Sequence, residues 1–318
     1  MTVIAPDWSP SAPLQRLDPS WANAVGVELA VLRLDLLDPL ISGNKWFKLK
    51  HHLEQAAAQG ARGLISLGGA HSNHLHALAA AGQRFGFASV GLLRGAPQDT
   101  PTVRDLQAFG MTLHWLDHGA YRARHQVGFW APWLQRYPGF HAVPEGGGGL
   151  PGALGCAALR DMLQRQLSTI GWADSDAWWL AVGSGTTLAG LVLAEAGRRP
   201  VYGALAVPER YGIATQVREV LREAGAADQG YRLVPAARGG FARSDDELLA
   251  FMQQCEAETA MPLEPVYTAK ALLALREAVQ GGYVARGSRL VFVHTGGLQG
   301  RRAALRSCRL NQDGYTQA

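Results

Sequence analysis

GLISLGGAHSNHLHALAAAGQRFGFASVGLLR, residues 63–94, decides the fold. GLISLG (63–68) is a short apolar run closed by glycine and reads as a buried strand. A helix is expected from about Asn73 to Phe85, and ASVGLLR (88–94) is a second strand. Two strands joined by a helix of this length run parallel, because the helix carries the chain back to the end it started from.

The same alternation extends in both directions. GVELAVLRLDLL (26–37) reads as one or two strands, and NKWFKLKHHLEQAAAQ (44–59) as a helix capped by Ser42 or Asn44 and stopped by Gly60. TVRDLQAFG gives a helix and MTLHWL a strand. YPGFHAVPEGGGGLPG (137–152), dense in Pro and Gly, is the expected domain boundary. Beyond it come a helix over 153–169, a strand over 178–183, a helix from about Thr186 and a strand over 201–207. A helix over 209–224, the strand YRLVP, helices near 245–260 and 268–280, a strand over 289–294 and a final helix complete the chain. The fold class is α/β, with open, twisted parallel sheets and helices on both faces. Ligands in such folds lie beyond the carboxyl ends of strands. The strand-to-helix turns are therefore the places to look for chemistry.

Composition narrows the classes. The chain has 318 residues, 47% apolar and 18% charged, which suits one large or two ordinary domains and excludes disorder. Glycine numbers 38 without a triplet period, which excludes collagen and points to many tight turns. No apolar run is long enough to span a bilayer, and MTVIAPDWSP has no signal-peptide character. Cys156, Cys255 and Cys308 are few and far apart, which argues against a disulfide framework and fits a reducing cytoplasm. The net charge is +4, carried by the C-terminal segment, where Arg301, Arg302, Arg306 and Arg309 read as a solvated helix face. Aromatics are not interleaved with these arginines, so no nucleic-acid platform is expected.

Lysine is scarce. Only Lys45, Lys48, Lys50 and Lys270 occur, and three of them share one short window. Arginine cannot replace lysine where a reaction needs a deprotonatable amine. Lys45 follows the turn Ser42-Gly43-Asn44, and a charged lysine at a helix N-terminus is disfavoured, which lowers its pKa. VGSGTTL (182–188) runs from a strand into a helix, with Gly183 and Gly185 freeing backbone N–H groups and Ser184, Thr186 and Thr187 adding hydroxyls. It holds no lysine and lacks the third glycine of a dinucleotide fingerprint, so it reads as a cup for one phosphate. In LGGAHSNH (67–74), Ser72 and Asn73 are good helix caps and also a second anion site. His71, His74 and His76 do not share one helix face, so no metal site is expected. VHTGG (293–297) ends another strand with a hydroxyl, Thr295, suited to a neutral ring nitrogen.

An amine, a one-phosphate cup and a hydroxyl at a third strand end suit pyridoxal 5′-phosphate. Five segments in order, GNKWFKLK (43–50), SLGGAHSNH (66–74), VGSGTTLAG (182–190), EPVYTAKAL (264–272) and VHTGG (293–297), resemble the pyridoxal-phosphate-dependent aminocyclopropane-carboxylate deaminase/D-cysteine desulfhydrase family, of tryptophan-synthase-β-like fold. The resemblance implies two parallel-sheet domains: 1–42 with 150–318 as the larger, and 43–149 as a smaller insertion. It implies Lys45 as the Schiff-base lysine, Asn73 on the cofactor's 3-oxygen and Ser72 on the substrate carboxylate. Gly183, Ser184, Gly185, Thr186 and Thr187 would hold the phosphate, Tyr267 would lie against the substrate, and Thr295 would meet the pyridine nitrogen. A small amino-acid substrate and a homodimer are implied as well.

Family deaminases of the cyclopropane substrate carry Glu after the PVY tyrosine and Leu before the late Gly-Gly. This chain has Thr268 and Thr295 there, which favours the desulfhydrase branch. The expected activity is a lyase reaction ending in hydrolysis: D-cysteine to pyruvate, ammonia and sulfide. Deamination of aminocyclopropane-carboxylate or of another D- or L-amino acid is the alternative, and a low-turnover pyridoxal-phosphate-binding protein is an alternative of another class. Three departures bear on the choice: Phe47 stands for the family Arg, Phe241 for a tyrosine, and His74 for Gln.

Overall fold

The computed structural model describes residue 3 and residues 7–302. The chain enters on β1 (Leu14–Leu17), passes the short α1 (Ser20–Asn23) and pairs back as β2 (Glu28–Arg33). It then runs α2 (Lys45–Ala58), β3 (Gly63–Gly68), α3 (Asn73–Phe85), β4 (Ala88–Arg94), α4 (Pro101–Ala108) and β5 (Thr112–Leu116). Two short helices, α5 (His118–Arg122) and α6 (Ala131–Arg136), precede β6 (Phe140–Ala142). The remainder is α7 (Gly149–Gln164), β7 (Ala177–Val182), α8 (Thr186–Glu195), β8 (Val201–Leu205), α9 (Ile213–Glu223), β9 (Tyr231–Pro235), α10 (Asp246–Thr259), α11 (Thr268–Gln280) and β10 (Arg289–His294).

Two sheets result. One has six strands in the order β1-β2-β10-β7-β8-β9, the other four in the order β5-β4-β3-β6. Every pairing is parallel except that of β1 with β2. The α/β class with two parallel sheets is thus the observed one. β10 lies between β2 and β7, so the last strand joins the start of the chain to its middle. β7 is buried along its whole length, including two tryptophans. Trp178 donates to Glu195 at 2.7 Å and Trp179 to the Ala271 carbonyl at 2.8 Å, so neither indole N–H is left unpaired in the core.

All four strands of the smaller sheet fall within 43–149, and all six of the larger sheet outside it. We therefore propose the same division, 1–42 with 150–318 around 43–149, with α2 as the element that crosses it by packing on α7.

Several elements differ from the sequence reading. β1 and β6, at sheet edges, were not foreseen. α7 starts inside the glycine run, because Gly146, Gly147 and Gly149 take positive φ and turn the chain into the helix at once. α9 starts at Ile213, since Gly212, at φ +69°, breaks the expected helix after one 3-10 turn. Arg301 and Arg302 are not simply solvated: Arg301 forms a bidentate pair with Glu256 at 2.6 and 2.8 Å, and Arg302 pairs with Asp105. Arg306, Arg309 and Cys308 lie outside the described residues. Among the described residues no helix is long and apolar enough to cross a membrane.

The α2–α7 contact depends on one missing side chain. A Cβ on Gly155 would lie 1.9 Å from the Phe47 carbonyl oxygen. Gly155→Ala should therefore lower stability by about 1–3 kcal/mol, outweighing the gain of about 0.5–1 kcal/mol that Ala brings to a helix interior. Urea unfolding measures this, and a stability equal to or above the parent would refute the close packing.

Candidate active site

The turn before α2 is stitched to the turn after β10. Gly43 has φ +72°, and a Cβ there would sit 2.1 Å from the Thr295 carbonyl oxygen. The Asn44 N–H donates to that same oxygen at 3.1 Å. Only glycine permits this approach. Asn44 does not cap α2 with its side chain, as a local reading expects. Its Nδ2 donates to Thr187 Oγ1 at 2.9 Å, and its Oδ1 accepts from Lys45 Nζ at 2.7 Å.

Lys45 is half-buried as a residue, and its amine is surrounded by protein. Its pKa is lowered from 10.5 to about 8. Burial is the main cause, rather than the helix dipole that the sequence argument invoked, and Cys156 and Glu264 act weakly the other way.

Lys48 is the residue that the sequence reading missed. It lies three positions after Lys45, on the same face of α2, and only 4% of it is exposed. Its Nζ donates to Ser184 Oγ at 2.9 Å. The cup at 182–188 contains no lysine of its own, and α2 supplies one. Burial, then repulsion from Lys45, lowers the Lys48 pKa to about 7. Ser184 Oγ lies 3.1 Å from Thr186 Oγ1, so the cup's hydroxyls cluster. Gly185, at φ +73°, caps α8 and leaves no room for a side chain beside Val217. Thr187 Oγ1 accepts from Asn44 and lies 3.7 Å from the Cys156 thiol, which burial raises to about 11.

Ser72 caps α3, with its Oγ accepting from the Leu75 N–H at 3.1 Å. The hydroxyl proton stays available to a ligand. Among the described residues Asn73 Oδ1 is buried without a hydrogen-bond partner, and Asn73 Nδ2 is 3.0 Å from where a Gly297 Cβ would be. His74 does not face outward with His71; its Nε2 lies 2.8 Å from Ser66 Oγ, which donates to the Val143 carbonyl. His76 lies 3.2 Å from Asp105.

Tyr267 precedes α11, and its ring edge would lie 2.9 Å from a Cβ on Gly183. Phe241 stands 6.0 Å from it, ring to ring. Glu264, quoted in a motif but given no role by sequence, is 1% exposed. Its carboxylate accepts the N–H groups of Val266, Tyr267 and Thr268 at 2.8, 2.7 and 2.6 Å. Burial still raises its pKa to about 7, with the opposing pull of Lys45 among the smaller causes. Thr295 is buried at the end of β10, against Gly43.

The residues fit pyridoxal 5′-phosphate. The cup has glycines, hydroxyls and a lysine for a phosphate, the neighbouring amine is held toward its neutral form, and Asn73 Nδ2 offers a donor for a ring oxygen. The profile of the pyridoxal-phosphate dependent enzymes matches residues 9–296. The chain belongs to that family. Within it, the D-cysteine desulfhydrase of Serratia proteamaculans is 27% identical, covering 90% of this chain and 91% of that one. The bifunctional D-cysteine desulfhydrase/1-aminocyclopropane-1-carboxylate deaminase of Arabidopsis thaliana is 26% identical, covering 86% and 73%. A crystal structure of an ACC deaminase homologue superposes with a TM-score of 0.79 at 25% identity, covering 94% and 92%. This family member is thus an enzyme that uses pyridoxal phosphate.

Two outcomes are expected. Uptake of pyridoxal 5′-phosphate by cofactor-stripped protein should speed up as pH rises and level off near 8, because Lys45 reacts only as the free amine and its pKa is lowered to about 8. A stopped-flow profile still climbing at pH 9.5 would contradict the lowered value. Lys48→Met removes a charged donor worth about 1.5–3 kcal/mol and should raise the cofactor Kd roughly 10- to 100-fold, read by equilibrium titration; an unchanged Kd would remove Lys48 from the cup.

Proposed function

We propose that this enzyme catalyses α,β-elimination and deamination of a small amino acid, with D-cysteine as substrate. D-cysteine and water give pyruvate, ammonia and hydrogen sulfide. Bound pyridoxal phosphate supplies the electron sink for the pair left at the substrate α-carbon. The chain's own residues do the rest. Ser72 and the amides opening α3 bind the substrate carboxylate. Lys45 Nζ, near neutrality and oriented by Asn44, takes the α-proton. Lys48, Ser184, Thr186 and Thr187 fix the phosphate, and Asn73 the ring's 3-oxygen. Tyr267 lies over the cup and orients the substrate side chain. Burial raises its phenol further above the ordinary tyrosine range, so it stays protonated at neutral pH.

The observation that carries the choice of substrate is Thr268. Family deaminases of the cyclopropane acid have a glutamate at this position. Here the Thr268 hydroxyl is fully buried and bonded to the backbone of Glu264, at 2.9 Å from its nitrogen. The Glu264 carboxylate is committed to the N–H groups that open α11. The remaining partner for the pyridine nitrogen is the neutral Thr295 hydroxyl, which withdraws electrons less than a charged pair does. That suffices when a thiolate departs from the β-carbon and is poorly matched to opening a carbon ring.

Purified holoenzyme should release sulfide, pyruvate and ammonia in equal amounts from D-cysteine. Lys45→Ala should lose both the cofactor absorbance and turnover. Keto-acid formation from 1-aminocyclopropane-1-carboxylate without sulfide from D-cysteine would transfer the assignment to the deaminase reaction. A holoenzyme inert to a broad amino-acid panel would leave a cofactor-binding protein.

A further inference from the structure

Lys270, the one lysine outside the α2 window, is only 1% exposed in the first turn of α11. Its Nζ donates to the Ala237 carbonyl at 2.8 Å and to the Gly240 carbonyl at 2.9 Å. Both carbonyls belong to the loop between β9 and α10. That loop is strained: Arg238 has φ 46° and Ala242 φ 56°, left-handed values that side chains disfavour. Such conformations persist only where surrounding contacts over-determine them. Packing contributes little at the start of the loop, where a half-open cleft of about 270 Å³ is lined by Ala237, Arg238, Lys270, Leu273 and Glu277. The loop is held instead by Lys270 and by the Arg238 guanidinium, which bonds Asp245, Glu247 and Glu277.

The loop carries Phe241, 38% exposed, with its ring 6.0 Å from Tyr267. Tyr267 and Lys270 are three residues apart, one helical turn. The start of α11 thus places one aromatic, its cap Tyr267, at the cup and holds the backbone that brings up a second. We infer that Lys270 is a positioning residue: by fixing the backbone at 237 and 240 it sets Phe241 across Tyr267, and so closes the side-chain end of the substrate site against bulky amino acids. The inference rests on the proposed small-amino-acid reading of the cleft and adds what enforces it.

The test uses wild type, Lys270→Met, Lys270→Arg, Phe241→Ala and the Lys270→Met/Phe241→Ala double variant. Hydrogen exchange over 237–243 in cofactor-free protein reads the tether; Lys270→Met should accelerate it about tenfold, as loss of charged hydrogen bonds implies. Affinities of the holoenzymes for cysteine and for leucine, as D- and L-forms, follow from titration of the cofactor absorbance. Lys270→Met and Phe241→Ala should each shift the cysteine-to-leucine preference about tenfold toward leucine, Lys270→Arg should shift it less, and the double variant should match Phe241→Ala alone. Unchanged exchange in Lys270→Met, or a double variant equal to the product of the singles, overturns the inference. If Lys270→Met does not fold, Phe241→Ala decides it: an unaltered preference there removes the wall. A wild type that binds neither amino acid defeats the substrate reading and this inference together, whereas a wild type that binds cysteine beside variants of unchanged preference defeats the inference alone.

Discussion

Asn44 makes the contact on which the site depends. One amide holds Lys45 Nζ at 2.7 Å and Thr187 Oγ1 at 2.9 Å, although Thr187 is 143 residues away. That bridge locks the amine to the first turn of α8, where the proposed phosphate cup lies. It forms because Gly43 lets the chain lie against the Thr295 carbonyl, so a single turn touches the segment after β10 through Gly43 and the first turn of α8 through Asn44. A side chain at 43 would push the turn away, and amine, cup and Thr295 would lose their common frame.

The charges in this frame are costly without a ligand. Burial lowers Lys45 to about 8 and Lys48 to about 7, and raises Glu264 to about 7. For the lysines, stability is present above the unfolded pKa and is lost as pH falls through the folded one. For Glu264 it is present below 4.5 and is lost as pH rises through about 7. Between pH 7 and 8 the folded chain therefore bears most of both costs. A phosphate dianion held in the cup would supply the counter-charge that Lys45 and Lys48 lack and so offset their share, but not that of Glu264. Cofactor binding and folding stability are coupled at this point.

What was legible in the sequence was local. β3, α3 and β4 appear at their expected residues because glycine closures and apolar runs define them without help from elsewhere. β1 and β6 did not show, since four and three residues at a sheet edge become strands only through their partners, Leu14 against Leu32 and Phe140 against Gly63. The site divides in the same way. The turns at 42–45, 72–73 and 183–187 announced themselves by residue type. Lys48 and Glu264 did not, because Ser184 lies 136 residues from one and the other's importance comes from burial beside Lys45. Asn44 misled for the same reason, since a tertiary partner outcompeted the local cap.

The two halves of the site are built with different stiffness. The proposed cofactor half is made of close contacts with little slack: Gly43 and Gly155 against the Thr295 and Phe47 backbone, and Gly185 against the Val217 side chain. Each forbids a Cβ, so small shifts there are resisted by hard repulsion. The proposed substrate half rests on Tyr267 and on a loop with left-handed Arg238 and Ala242 beside an open cleft, tied down by hydrogen bonds. Hydrogen bonds to a flexible lysine can be lengthened or exchanged at modest cost, whereas packed glycine contacts cannot. Change in the substrate accepted is therefore expected to arise in the loop around Phe241 while Lys45 and its cup stay fixed.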